Sequence, residues 1–154
     1  MRKTKAVVLH KNGDADQMVW EEVSLPDPDH GQVLLKHEFV GFNMIDVYHR
    51  SGIYPTPSKP CFLGTEASGV IEQVGPGVEN LNIGDRVAYA GSSSGLGSYS
   101  YSRLMNADDL IIIPDWMRSE VAAAILTKGR TVEYLFNRTY KLQKGDRLLF
   151  NAAA

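Results

Sequence analysis

This sequence predicts an α+β fold that is mainly β with short helices, followed by the opening of a second, α/β unit. Three observations carry that expectation. Glycine and proline, 14 and 7 residues, cut the first two thirds of the 154-residue chain into short alternating pieces. From Ser119 onward the composition turns helical. Near the end stands an unbroken apolar triplet, Leu148-Leu149-Phe150. Such continuous apolar strands normally lie inside parallel sheets covered on both faces.

Ala6 to His10 reads as a first short strand, closed by the turn-forming Asn12-Gly13-Asp14. Val19 to Val23 is a second, ended by Pro26 and Pro28. From Val33 to Val40 the period is two, but both faces carry apolar residues, so a half to fully buried strand is expected. Asn43 to Ser51 predicts one short helix, with Asn43 as N-cap, Asp46 three residues on, and Gly52 as its stop. Tyr54-Pro55-Thr56-Pro57 and Lys59-Pro60 make a loop that cannot continue it. Strands are expected at Ser68 to Val74, Asp85 to Ala90, Tyr99 to Met105 and Leu110 to Ile113, with Ser92 to Gly97 a loop. Ser119 is positioned to cap a helix over Val121 to Leu126. Gly129 predicts a break, after which Val132, Leu135, Phe136 and Tyr140 form one apolar stripe of a second helix. Gly145-Asp146 turns the chain into the Leu148–Phe150 strand. The expected division is a first domain over residues 1–127 and, over 128–154, a connecting helix and first strand of a domain that is otherwise absent.

Composition narrows the function. Lys plus Arg number 16 and Asp plus Glu 18, a net charge of −2. No basic excess exists to neutralise phosphates, which argues against a generic nucleic-acid binder. No apolar run approaches the ~18 residues of a membrane span. The apolar stretch after the basic N-terminus, Ala6 to Leu9, is shorter than the about 7–15 residues of a signal-peptide core. A cytoplasmic, membrane-free protein is the expectation. The single cysteine, Cys61, excludes both an intrachain disulfide and a cysteine-rich zinc site.

Chemical motifs are few. Gly91-Ser92-Ser93-Ser94-Gly95 fits G-x-S-x-G, but a nucleophile elbow needs a helix after it. Here another glycine and a strand follow, so a loop is expected. No G-x-G-x-x-G fingerprint and no phosphate-loop lysine are present. His10, His30, His37 and His49 show no metal-ligand spacing, and Cys61 reads as a small buried residue rather than a nucleophile. The short helix carries Asn43, Asp46, Tyr48 and Arg50, with Tyr54 just beyond. Read alone, these are a cap, a solvated face and a packed aromatic as readily as a site.

A longer pattern alters that balance. The run Gly64-Thr65-Glu66-Ala67-Ser68-Gly69-Val70-Ile71-Glu72-Gln73-Val74-Gly75, with Gly77-Val78 and Gly84-Asp85-Arg86-Val87, resembles the signature of the medium-chain dehydrogenase/reductase superfamily. The stretch Gly41 to Pro55 is similar to the zinc-independent NADPH:quinone oxidoreductase, zeta-crystallin-like branch. The tail from Gly145 to Ala154 resembles that branch's first Rossmann strand. Where the zinc alcohol dehydrogenases carry a His before the signature Glu, this chain has Thr65. Where they place a Cys near the short helix, Asn43 stands.

The resemblance implies a GroES-like catalytic domain, a partly open β-barrel, that uses NADPH without zinc. It implies hydride transfer from the nicotinamide to a quinone or similar small electrophile. Asn43 and Tyr48 are the implied catalytic residues and, with Thr131 and Lys128, the cofactor-binding ones. Tyr54 and Arg50 would line the substrate cleft. The family's glycine-rich turn would lie beyond Ala154, so this catalytic-domain part is expected to be inactive alone. A homodimer is expected, through a bare Leu148–Phe150 strand. Two alternatives stand beside it: a non-catalytic GroES-like binding or self-association module, and a zinc-free alcohol or enoyl reductase of the same superfamily.

Overall fold

The computed structural model describes residues 1–56 and 59–151. Pro57 of the expected loop and the 152–154 end of the tail motif lie outside the described residues. The chain is mostly β, in two sheets with two helices. Three strands, β1 (Arg2–Leu9), β2 (Met18–Leu25) and β4 (Cys61–Phe62), form the smaller sheet in the order β2-β1-β4. Five more form the larger one: β3 (Gln32–Gly41), β5 (Glu66–Val74), β6 (Arg86–Ala90), β7 (Ser102–Asn106) and β8 (Ile111–Ile112), in the order β7-β3-β5-β6-β8. Every pairing is antiparallel. The sheets are stitched where β1 meets the approach to β7: Val7 N–H donates to the Tyr99 carbonyl, and Tyr101 N–H to that of Lys5. Elsewhere they stay separate and do not close into a barrel.

The main core forms on one face of the larger sheet, from Val33, Leu35, Ala67, Ile71, Val87, Tyr89 and Met105. A second cluster of Val7, Leu9, Cys61 and Leu63 sits under the smaller sheet. The alternation of β3 buries Val33, Leu34 and Leu35, but Phe39 and Val40 are exposed. A register shift between His37 and Phe39 accompanies this change of surroundings.

Helix α1 (Met44–Ser51) ends at Gly52, whose φ of 87° is the left-handed stop expected there. Helix α2 (Ser119–Glu133) starts one residue earlier than a Ser119 cap would place it. Ser119 is instead a buried first-turn residue: its carbonyl accepts from Ser68 Oγ (2.8 Å) and its hydroxyl from Arg86 Nε (3.3 Å). Ala122 packs with Ala88 and Ile113, pinning α2 to the sheet.

Two expectations need correction. Gly129 does not break the helix, and α2 runs through it, and through positions 127 and 128, into a wider π-helical turn at Tyr134–Thr139. A Cβ there would meet Ile125 Cγ1 at an ordinary 3.9 Å, so glycine is not required by packing and costs only about 1 kcal/mol of helix propensity. Leu148 to Phe150 is not a strand; it pairs with nothing among the described residues, and its side chains are 62–86% exposed. A strand needs a neighbour to satisfy its backbone, and none pairs with it among the described residues. The stripe of Val132, Leu135 and Tyr140 is likewise exposed.

Candidate active site

β3 ends at Gly41, and two residues later the chain turns into α1. Asn43 occupies the N-cap position with extended backbone, but its side chain makes no cap bond. Asp46 supplies the reverse arm, its Oδ2 accepting the Asn43 N–H at 3.0 Å. The Asn43 amide is therefore free to face elsewhere. Its Nδ2 donates to Glu66 Oε2 (2.7 Å), and its Oδ1 accepts from Lys128 Nζ (3.0 Å). The second Glu66 oxygen, Oε1, accepts the Thr127 N–H at 2.8 Å. Glu66 has no exposed surface, and Asn43 very little. One buried carboxylate thus ties the first turn of α1 to the middle of α2.

Asp46 is a second buried carboxylate. Besides the Asn43 N–H, it accepts from Thr65 Oγ1 (3.1 Å) and Tyr99 Oη (2.9 Å). Three donors offset the loss of water around a buried charge. Burial, and then the Asp46 charge beside it, holds the Tyr99 phenol well above the ordinary tyrosine range, so Tyr99 remains a donor.

Beside these carboxylates lies a cleft of about 540 Å³, lined by Ile45, Thr65, Thr127, Arg130, Thr131 and Arg138 among others. Its polar lining is threonine hydroxyls, the guanidinium groups of Arg130 and Arg138, and the Glu133 carboxylate, which accepts from Arg138 Nε at 3.1 Å. Arg130 spans its rim by donating to the Ala90 carbonyl.

Of the residues singled out from sequence, Asn43 and Lys128 come into direct contact, and Thr131 lines the cleft one helical turn from Thr127, whose carbonyl it binds (2.9 Å). Tyr48 and Tyr54 form an edge-to-face pair with ring centroids 5.2 Å apart. Arg50 is held away from them by its Nε, which donates to the Gly13 carbonyl (3.2 Å). Sequence reasoning missed Glu66 and Thr127 altogether. It weighed Asp46 among the polar residues of the short helix but gave it no role, and noted Thr65 only as a zinc-site replacement. A buried Glu in an otherwise small and apolar strand, Glu66-Ala67-Ser68-Gly69-Val70, is the signal that stood available.

A metal site finds no support in side-chain grouping: among the described residues no three His, Cys, Asp or Glu converge on one point. The G-x-S-x-G stretch is a loop, its Ser92 and Ser93 hydroxyls donating to Asp109 (2.9 and 2.8 Å). Those hydroxyls and the Ser93 and Ser94 amides hold the Asp109 carboxyl below its usual value against the opposing effect of partial burial.

Comparison with known proteins decides the family. The alcohol dehydrogenase GroES-like domain matches residues 29–115. The chain belongs to that family. Within it, the chain is 43% identical over 148 residues to quinone oxidoreductase of Salmonella typhimurium, spanning 96% of this chain and 45% of that protein. It is also 43% identical over 155 residues to 2-haloacrylate reductase of a Burkholderia species, 97% and 46% of the two chains. The crystal structure of Escherichia coli quinone oxidoreductase complexed with NADPH superimposes with a TM-score of 0.86 at 40% identity, covering 90% of this chain and 42% of that one. This GroES-like chain thus spans less than half the length of the curated relatives it matches. No helix among the described residues is long and apolar enough to cross a membrane.

Proposed function

We propose that this GroES-like chain is the catalytic-domain part of a metal-independent, NADPH-dependent reductase of quinones. The observation that carries the reading is the Glu66–Asn43–Lys128 chain, buried at Glu66 and Asn43, which fixes an amide and an ammonium beside a cleft lined by threonine and arginine side chains with Glu133. A second support is the NADPH held by a 40% identical structural relative. The donor set fits the cofactor: Lys128 and Arg130 suit its phosphates, and Asn43 and Thr131 its carboxamide end. When bound, reduced nicotinamide supplies the hydride.

What this chain's residues contribute follows from their surroundings. Asn43 and Thr131, on rigid elements, orient the ring. Tyr48, braced by the Tyr54 ring, offers a phenol to the acceptor oxygen that gains charge. Tyr54 excludes water from that side, and Arg50 adds positive charge at a further remove. Of these groups Asn43 is the one the buried carboxylates hold, its Nδ2 donating to Glu66 and its backbone N–H to Asp46. The test is NADPH oxidation with a quinone acceptor, followed in the polypeptide that unites this chain with the further half its relatives possess. Turnover without added metal supports the reading; a folded protein that leaves NADPH unoxidised rejects it.

A second reading has its own support. The 43% identical relative named 2-haloacrylate reductase favours an activated alkene as acceptor on the same wall, a zinc-free enoyl-type reductase. Competing quinone and haloacrylate acceptors in one assay separates the two.

A further inference from the structure

We propose that Glu66 is a positioning residue, which sets the amide of Asn43 so that its oxygen, not its nitrogen, faces Lys128. Its functional consequence rests on the reading above; the orientation itself does not. Glu66 lies wholly inside the protein, and both of its oxygens meet donors: Asn43 Nδ2 at 2.7 Å and the Thr127 N–H at 2.8 Å. A carboxylate only accepts, so it forces the nitrogen end of Asn43 inward. The oxygen end is left as the acceptor for Lys128 Nζ at 3.0 Å. Polarity thus passes along one line, from a buried charge through an amide to the ammonium at the cleft. Gly41 makes the approach possible, since a Cβ there would stand 2.7 Å from Glu66 Oε2 and 2.3 Å from the Ala123 carbonyl oxygen.

The substitution Glu66→Gln reverses that line without changing shape. Glutamine offers one acceptor and one NH2 group. The Thr127 N–H is fixed by α2, so the glutamine oxygen stays with it, and the NH2 group turns to Asn43. Asn43 then flips to present its oxygen inward. Its own NH2 group now faces the Lys128 ammonium, donor against donor, and Lys128 is released.

The experiment uses this chain without cofactor. Brief treatment with acetic anhydride, read by peptide mass spectrometry, compares Lys128 with the exposed Lys5 and Lys141 as internal references. Glu66→Gln is expected to raise the relative acetylation of Lys128 roughly tenfold, the loss of one hydrogen bond to a charged group. A merely structural role for Glu66 lowers the melting temperature but leaves the Lys128 ratio unmoved. A folded Glu66→Gln protein with a wild-type ratio overturns the proposal. Should Glu66→Gln not fold, the exchange of both groups, Glu66→Gln with Asn43→Asp, decides. It restores every donor–acceptor polarity, so it is expected to fold, and failure to fold overturns the proposal. Because NADPH is absent throughout, failure here leaves the reductase reading to its own assay.

Discussion

Lys128 Nζ donates to Asn43 Oδ1 across 3.0 Å, joining the middle of α2 to the first turn of α1. Two elements far apart in sequence meet at this bond, next to the cleft lined by Thr65, Thr127 and Thr131. Replacing Lys128 by Met keeps the stem and removes the charge. Cofactor affinity of the full-length protein is expected to fall roughly tenfold, the value of one charge-assisted hydrogen bond, with little change in melting temperature. Calorimetric titration with NADPH checks it, and an unchanged dissociation constant removes Lys128 from the site.

Tyr48→Phe deletes one hydroxyl and keeps the ring pair with Tyr54. Quinone turnover is expected to fall by about 10²-fold, as for the loss of one oxyanion donor, with the circular dichroism spectrum unaltered. Steady-state rates equal to wild type reject the role.

His37 makes stability depend on pH. Its Nδ1–H donates to the Ser100 carbonyl (2.8 Å), and its Nε2 accepts from Tyr89 Oη (2.9 Å), with Arg103 3.5 Å from that same phenol. Burial, helped by the Arg103 charge and opposed by the Ser100 bond, lowers its pKa to about 4. The unfolded chain therefore binds the extra proton first. Stability is whole above about pH 6.5 and is lost as pH falls from there to about 4, by on the order of 3 kcal/mol in total. Urea unfolding across that range should show the loss, and His37→Gln should flatten it.

Gly41→Ala places a methyl group against the Ala123 carbonyl and the Glu66 carboxylate. A destabilisation of about 1–3 kcal/mol is expected, as for other overpacked sites. Thermal unfolding measures it, and a wild-type melting temperature contradicts the close approach.

Much of the fold was legible because period-two alternation and glycine punctuation are local signals. The strands β1, β2, β3 and β5 to β8 lie within a few residues of where those signals put them. β4 was not, since Cys61–Phe62 is a two-residue strand beside a proline, with no period to read. Leu148–Phe150 shows the opposite failure: its composition is that of a buried strand, but pairing is a tertiary property. At the site, Asn43 was legible as a cap and a candidate polar residue, but its role, and Lys128 altogether, entered through family resemblance. Glu66 was passed over inside the signature that carried that resemblance: its place in a small, apolar strand was the one local signal, and the donors that explain it, Asn43 and Thr127, lie 23 and 61 residues away in sequence.

The most direct measurement is the rate of quinone-dependent NADPH oxidation by the full-length protein, wild type against Asn43→Ala. Metal-free turnover that drops at least roughly tenfold on removal of the amide is the result predicted here. Equal rates in the two proteins, or a folded wild type that oxidises no NADPH, would contradict it.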